Sequence, residues 1–441
     1  METDARGFGR YRAADYDELA DSPVEMGAFW EAGFTAGGVP HRFVVAGAPP
    51  GFDGEALARD TQRICEAVIG LWHPEGAAPP MERYLFMLNA VNDGYGGLEH
   101  RASTALLCSR NDLPHAGMAV QGEAYRQFLG LCSHEYFHTW NVKRIKPAAF
   151  VPYDLAQENY TRLLWAFEGF TSYYDDLILL RSGRITRADY LGLLAKTLGA
   201  VHKGSGRHKQ SVAESSFEAW TKYYRQDENS PNAIVSYYTK GSLVALLLDL
   251  RLRVESDGER SLDDLMRALW QKHGQTGLGV AEDGLYQQAA AIGGAALGRW
   301  LKKLVEGAEE LPLALWLQRA GVRLEWEASG KAPGLGVRIS AEGDLAKLAN
   351  VFDGGAAQIA GLSAGDVLVA LDGLKVTATN LEKLLARRAP GEPVVIHAFR
   401  RDELMRFEVI LQEAPRDTAK LSLAEGGSPA HRALRAGWLE R

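Results

Sequence analysis

The five residues His134-Glu135-Tyr136-Phe137-His138 constrain this chain more than any other part of it. On a helix, residues four apart differ by about 40° around the axis and lie about one turn apart along it. His134 and His138 therefore project from one face and can share one tetrahedral ion. Glu135 is rotated by about 100° from His134. It is placed to take a proton from a water attacking a carbonyl, and then to pass it to a leaving amine. Histidine is scarce, 11 among 441 residues, so a chance match to this pattern is on the order of a few per cent. The bland alternative is two histidines on a solvated helix face.

A second segment, LLWAFEGFTSYY (Leu163–Tyr174), sets Glu168 among Trp165, Phe167 and Phe170. A carboxylate in such apolar company needs a partner, because a buried unpaired charge is costly. One zinc per chain, held by His134, His138 and Glu168, is such a partner; a helix carboxylate that merely faces solvent or a structural cation is the competing reading.

Composition removes several other classes. Apolar residues make up 46% and charged residues 24%, and the formal net charge is −7, so neither nucleic acid nor an anionic membrane is indicated as a partner. Cys65, Cys108 and Cys132 are too scattered for a disulfide framework or a paired-cysteine metal site. The apolar run Leu243–Leu248 is too short to span a bilayer. The opening METDARGFGR has no signal-peptide core, so a cytoplasmic protein is expected.

Two further constellations accompany the metal pattern. YGGLEH (Tyr95–His100) puts Gly96 and Gly97, which allow close backbone approach, just before Glu99. An extended substrate lying there can receive main-chain hydrogen bonds; a plain hairpin turn is the competing reading. SYYTKGS (Ser236–Ser242) opens a helix with two tyrosines. A phenol there is either a hydrogen-bond donor to developing negative charge or core packing at a helix start.

HEYFHTWNVKRIKP followed by WAFEGFTSYYDD strongly resembles the M61 glycyl aminopeptidases, of the thermolysin-like gluzincin group. WAFEGFTSYY also looks like the glutamate segment of the M1 aminopeptidases. The resemblance runs from DYDELADSPVEMG (Asp15–Gly27) to about residue 413 and is thin between 200 and 230. It implies that His134, His138 and Glu168 bind zinc, that Glu135 is the general base, and that Glu99, beside Gly96 and Gly97, holds the substrate's free α-ammonium. SYYTKGS in turn resembles the Y-x-K-G segment of the M1 enzymes, which implies that Tyr238, with Lys240 and Gly241 completing the motif, stabilises the oxyanion. The expected activity is release of small N-terminal residues, Gly or Ala, from peptides. A zinc endopeptidase, or an inactive peptidase serving as a peptide-binding adaptor, stays open. The family usually carries an N-terminal β-domain before the DYDEL-like segment, and a piece of the substrate cleft is expected to be missing here.

Residues 334–413 resemble a PDZ domain of the bacterial HtrA-like type, on GLGV (Gly334–Val337) and AGLSAGDVLVALDG (Ala360–Gly373). The resemblance implies that a peptide adds as a strand and that its C-terminal carboxylate meets the amides of Gly334, Leu335, Gly336 and Val337.

The expected fold class is α+β. A thermolysin-like catalytic region covers 1–225, and a helical region completing the cleft covers 226–322. A small β-rich PDZ domain covers 323–415, followed by a tail over 416–441. HRFVVAG (His41–Gly47), RYLFMLNAV (Arg83–Val91) and TALLCS (Thr104–Ser109) read as strands, and helical periodicity predicts a helix at Glu55–Trp72. Further helices are expected near 123–140, 157–181, 187–200, 239–255, 261–273, 295–306 and 379–388. Asp154 and Ser236 are expected as entry caps, and 203–232 as an irregular surface stretch.

Overall fold

The structure, a computed structural model, describes residues 2–4, 7–117, 122–424 and 428–440. It is a mixed α+β architecture. The three predicted strands form the middle of a five-stranded sheet, ordered Trp30–Ala36, Val39–Ala46, Tyr84–Val91, Ser103–Ser109 and Gly96–Glu99. The three inner strands are parallel and the two outer ones antiparallel. The outer strand Trp30–Ala36 is not among the predicted strands, although WEAGFTA alternates apolar and small or polar residues, with Trp30, Ala32, Phe34 and Ala36 on the more buried face; it pairs with Val39–Ala46. YGGLEH is not a plain hairpin turn: Gly96–Glu99 is an edge strand that, among the described residues, pairs with Ser103–Ser109 alone.

The Gly54–Trp72 helix makes the parallel crossover. Asp53 accepts a hydrogen bond from the Ala56 amide at 2.9 Å and caps it. Leu57, Ile64, Val68 and Leu71 are buried on its inner face, as their spacing predicts. Its last residue, Trp72, packs on Phe137 of the Glu123–Phe137 helix. That helix carries the His134–His138 motif, and Tyr136 anchors it to the sheet through the rings of Tyr84 and Phe86.

Several boundaries differ from expectation for local reasons. The motif helix ends at Phe137, not near 140, because Trp140 turns into the core and donates to His73 Nε2 at 3.0 Å. The stretch expected to be helical over 157–181 starts only at Leu164 and breaks at Glu168, giving Leu164–Phe167 and Gly169–Arg181. Asp154 caps no helix; its carboxylate accepts from the Ala156 amide and the Gln157 side chain within a turn. The cap of the Thr239–Glu255 helix is Tyr238, although Ser236 Oγ accepts from the Thr239 amide at 3.2 Å. Residues 203–232 are not a surface stretch throughout. Val212–Phe217 is helical, and its Ser216 Oγ accepts from the Trp165 amide in the interior.

One large core joins the sheet and the helices, and a second lies within Leu335–Leu411. The second core is wrapped by a six-stranded antiparallel sheet in which Val337–Glu342 is an edge. The helix expected over 379–388 is the short Leu381–Leu385. Val322–Glu327 pairs with Thr418–Leu423 and adds Val322 and Ala419 to the large core. Pro429–Leu439 is a helix that buries Trp438 there. Among the described residues no helix is long and apolar enough to cross a membrane.

Candidate metal centre and substrate cleft

His134 and His138 lie one turn apart at the end of their helix, and Glu168 sits at the helix break opposite. His134 Nε2 is 3.3 Å, and His138 Nε2 3.2 Å, from the same carboxylate oxygen of Glu168. One atom from each of the three residues falls in a cluster no more than 4.8 Å across. Tetrahedral zinc with bonds of about 2.0–2.1 Å separates neighbouring ligand atoms by about 3.3 Å, so the observed spacing suits that ion.

Each imidazole is oriented from behind. His138 Nδ1 is 2.7 Å from the Asn141 carbonyl, which can only accept, so Nδ1 carries the proton and Nε2 presents its lone pair. His134 Nδ1 is 3.1 Å from Asp175 Oδ2, a carboxylate–histidine pairing of the kind that raises ligand basicity. Neither Asp175 nor Asn141 was singled out in the sequence. Asp175 had a signal, since it stands seven residues after Glu168, about two turns on along the same helix face. Asn141 had none, because the chain leaves the helix before reaching it.

Glu135 lies outside the ligand cluster. It is buried, and its Oε2 has no hydrogen-bond partner among the described residues, which leaves an unused acceptor beside the ligand cluster. Burial pushes its carboxyl up; the His134 and His138 charges pull it down, and Glu99 and Glu168 push it up further. Gly97 makes room for it. A Cβ at position 97 would sit 2.3 Å from Glu135 Oε1 and 2.4 Å from its Cδ.

Glu99, two residues further along the edge strand, is half-buried and makes no ion pair among the described residues. Two residues apart on a strand, Gly97 and Glu99 share a face, and the Gly97 side of that face abuts Glu135; the Glu99 charge pushes up both the carboxyl of Glu135 and the imidazole of His138. Gly96 and Gly97 keep the strand edge in front of it free of side chains, while Leu98 is exposed and Tyr95 sets its hydroxyl 3.4 Å from the Gln127 carbonyl of the motif helix. The corner after Glu99 is pinned by Asp21, which accepts from Arg101 Nε at 2.8 Å and pairs with His100 and with Lys143 at 2.7 Å.

The tyrosine pair divides. Tyr237 is in the core, whereas the Tyr238 ring stacks on that of His134 at 6.4 Å. The Tyr238 hydroxyl is 2.9 Å from that of Tyr224, an exposed residue the sequence did not single out. Tyr238 reaches the centre because two glycines meet beneath it. A Cβ on Gly169 would lie 2.6 Å from Gly241 Cα, and one on Gly241 would lie 2.7 Å from the Trp165 carbonyl.

In the C-terminal module, Gly336 holds φ +72°, a conformation that suits glycine. Its carbonyl accepts from the Phe352 amide at 2.9 Å, and the Leu335 carbonyl accepts from Ala357 at 2.8 Å. The Leu335 and Gly336 amides find no acceptor among the described residues. Gly334 bridges to Gln412, and Val337 starts the edge strand.

A solved structure of an aminopeptidase N family protein from Idiomarina loihiensis matches with a TM-score of 0.93 and 40% identity, covering 100% of this chain and 75% of that one. Residues 127–244 match the M61 glycyl aminopeptidase family. The chain belongs to the M61 glycyl aminopeptidase family. Its C-terminal PDZ domain is matched over residues 333–411. As an M61 protein it is a zinc metallopeptidase, and the His134–His138–Glu168 group is the candidate metal site that goes with that membership. An M1 zinc metallopeptidase from Deinococcus radiodurans is a looser likeness, at 20% identity and TM-score 0.42 over 65% of this chain and 54% of that one. No curated protein matches this M61 chain.

Proposed function

We propose that this M61 chain is an aminopeptidase that removes small residues, Gly or Ala, from peptide N-termini. The observation that carries this reading is Glu99, a half-buried carboxylate without a cation partner among the described residues, at the end of a strand edge that leads to Glu135. A peptide laid along Gly96–Glu99 receives main-chain hydrogen bonds, and its α-ammonium pairs with Glu99. That pairing leaves only the first peptide bond beside Glu135.

Zinc, when bound by His134, His138 and Glu168, supplies Lewis-acid chemistry that polarises a carbonyl and makes water a better nucleophile. Glu135 takes the proton from the attacking water and returns it to the leaving amine. The Tyr238 hydroxyl donates to the oxygen on which charge develops. The preference for small residues comes with the family. In the PDZ domain, the free Leu335 and Gly336 amides and the Val337–Glu342 edge support capture of a peptide C-terminus.

The test compares an alanyl chromogenic amide with its N-acetylated counterpart, alongside the zinc content of the protein. Cleavage of the free amine alone is expected. Glu99→Ala should keep zinc yet lose about 2–5 kcal/mol of the interaction with free-amine substrates, the usual cost of deleting one partner of a desolvated pair. Equal internal cleavage of acetylated peptides makes the protein an endopeptidase instead. Bound zinc with neither substrate cut makes it a binding module.

A further inference from the structure

We propose that Asn141 is the positioning residue that sets His138 and Glu168 in register with each other. The inference rests on the zinc reading of the site and adds to it a residue that touches neither metal nor substrate. Asn141 is buried, 2% exposed, three residues beyond the second histidine. Its main chain and its side chain serve opposite halves of the centre. The carbonyl accepts from His138 Nδ1 at 2.7 Å. The side-chain Nδ2 donates towards the Ala166 carbonyl at 3.2 Å, the Phe167 carbonyl at 3.1 Å and Thr171 Oγ1 at 3.2 Å. Ala166 and Phe167 immediately precede Glu168, at the break between its two helices.

Thr171 completes the clip. Its hydroxyl proton goes to the Phe167 carbonyl at 2.6 Å, so the oxygen faces Asn141 as an acceptor. An amide NH₂ is the group required here, since all three partners accept and two hydrogens are shared among them. A carboxylate at 141 would oppose two carbonyls, and a leucine would leave them unpaired.

The backbone is strained where this arrangement is made. Val142, buried and β-branched, holds φ +142°, a region that such residues rarely adopt. The neighbouring contacts hold it there: the Lys143 amide donates to the His138 carbonyl at 3.0 Å and Ile145 to the Trp140 carbonyl at 2.8 Å. The strain permits the Asn141 carbonyl to face back to His138 while its side chain crosses to the Glu168 helix. One residue thereby links ligands that sit 30 positions apart in the chain (138 to 168).

The test is zinc affinity by chelator competition and the visible absorption of the cobalt-substituted protein, measured on wild type, Asn141→Ala, Thr171→Val and Tyr173→Phe. Tyr173→Phe serves as the stability control; it loses a buried 2.6 Å hydrogen bond to Asp249 away from the centre. Asn141→Ala should bind zinc about 10–100-fold more weakly and shift the cobalt bands, which report ligand geometry. Tyr173→Phe should unfold earlier with affinity and spectrum unchanged. Thr171→Val keeps Asn141 and removes one acceptor, so it should weaken zinc in the same direction by about threefold or more. Should Asn141→Ala not fold, the Thr171→Val result decides. Wild-type affinity and spectrum in Asn141→Ala, or in Thr171→Val when it alone is folded, overturn the inference. Zinc loss in Tyr173→Phe matching that in Asn141→Ala does so too, because general stability then explains both. If wild type itself takes up neither zinc nor cobalt, the zinc reading falls and this inference with it.

Discussion

At the residue scale, the site depends on what each side chain is denied as much as on what it touches. Glu135 lacks a partner for one oxygen and stands outside the ligand cluster. Glu135→Gln is therefore expected to retain zinc by elemental analysis while its rate falls by about 10²–10⁴-fold or more; loss of metal, or a near-normal rate, would count against its role as base. Gly97 tests the same carboxylate from the other side. An alanine there places a Cβ 2.3 Å from Glu135 Oε1, and a base displaced by about 1 Å can cost about 10²-fold in rate. Gly97→Ala should thus keep its zinc, because the three ligands are untouched, and lose kcat; full activity would show that the strand gives way. Lys240 makes a prediction about pH. It is buried, its ammonium donates to the Arg207 carbonyl at 2.8 Å, and burial brings its pKa down from 10.5 to about 8. Between those values the unfolded chain binds more protons than the folded one, so stability rises with pH across about 8 to 10.5 on this account. Urea midpoints of wild type against Lys240→Met should show wild type gaining relative to the variant as pH increases through that window.

At the element scale, three segments distant in the chain are held at the centre by contacts that allow no larger residue. The Thr239–Glu255 helix meets the start of the Gly169–Arg181 helix through Gly241 and Gly169, and this carries Tyr238 over His134. Gly241→Ala forces a Cβ to within 2.7 Å of the Trp165 carbonyl. Overpacking of this kind costs about 1–3 kcal/mol, and the relief available is for the Tyr238 end of the helix to move outward. Thermal unfolding should move down, and kcat of the zinc-loaded variant should fall by more than its zinc affinity; a variant with wild-type kcat would separate Tyr238 from the reaction. The edge strand is positioned from the other direction. Burial alone would raise the Asp21 carboxyl, but His100, Lys143 and Arg101 together hold it well below the usual carboxylate range. The segment after Glu99 is thereby tied to the N-terminal Tyr16–Ala20 helix, which Asp21 follows.

At the scale of the whole molecule, the PDZ domain has its own core yet is docked on the peptidase. Asn232 Nδ2 donates to the Val351 carbonyl at 2.8 Å, Asn350 Nδ2 to the Glu228 carbonyl at 2.8 Å, and Ser205 Oγ to Asp353 Oδ2 at 2.7 Å, with Lys209 paired to the same carboxylate. The strand pair Val322–Glu327 and Thr418–Leu423 belongs to the large core. We therefore expect a fragment of residues 329–416 to unfold cooperatively by itself, because the core of Leu335–Leu411 is complete within it. A non-cooperative fragment would show that the docking contacts are needed for folding. Asp353→Ala in the full chain should leave the PDZ fold intact and loosen the docking, seen as earlier protease cutting near 328 or 417.

The metal pattern was legible because its chemistry is local: four residues of helix set two imidazoles on one face whatever surrounds them. Glu168 was legible for a related reason, a charge among aromatics that needs a partner. The Ser103–Ser109 strand and the Gly54–Trp72 helix could be read because each buries one face and burial imposes its period on the sequence, whereas Phe43–Val45 and Phe86–Leu88 are buried on both faces and read as short apolar runs. What lay outside that reach was whatever depends on a contact between distant segments. The break at Glu168 falls next to Gly169, where the Gly169–Arg181 helix meets Gly241 of a distant helix. The strand character of Gly96–Glu99 exists only through pairing with Ser103–Ser109. Tyr237 and Tyr238 are alike in sequence and are told apart only by which one faces His134. Asn141 has no neighbour in sequence that marks it, and its role appears when two helices meet. Sequence determines which side chains can do the chemistry; the tertiary structure decides which of them converge, because convergence is set by packing across the chain and packing leaves no period to read.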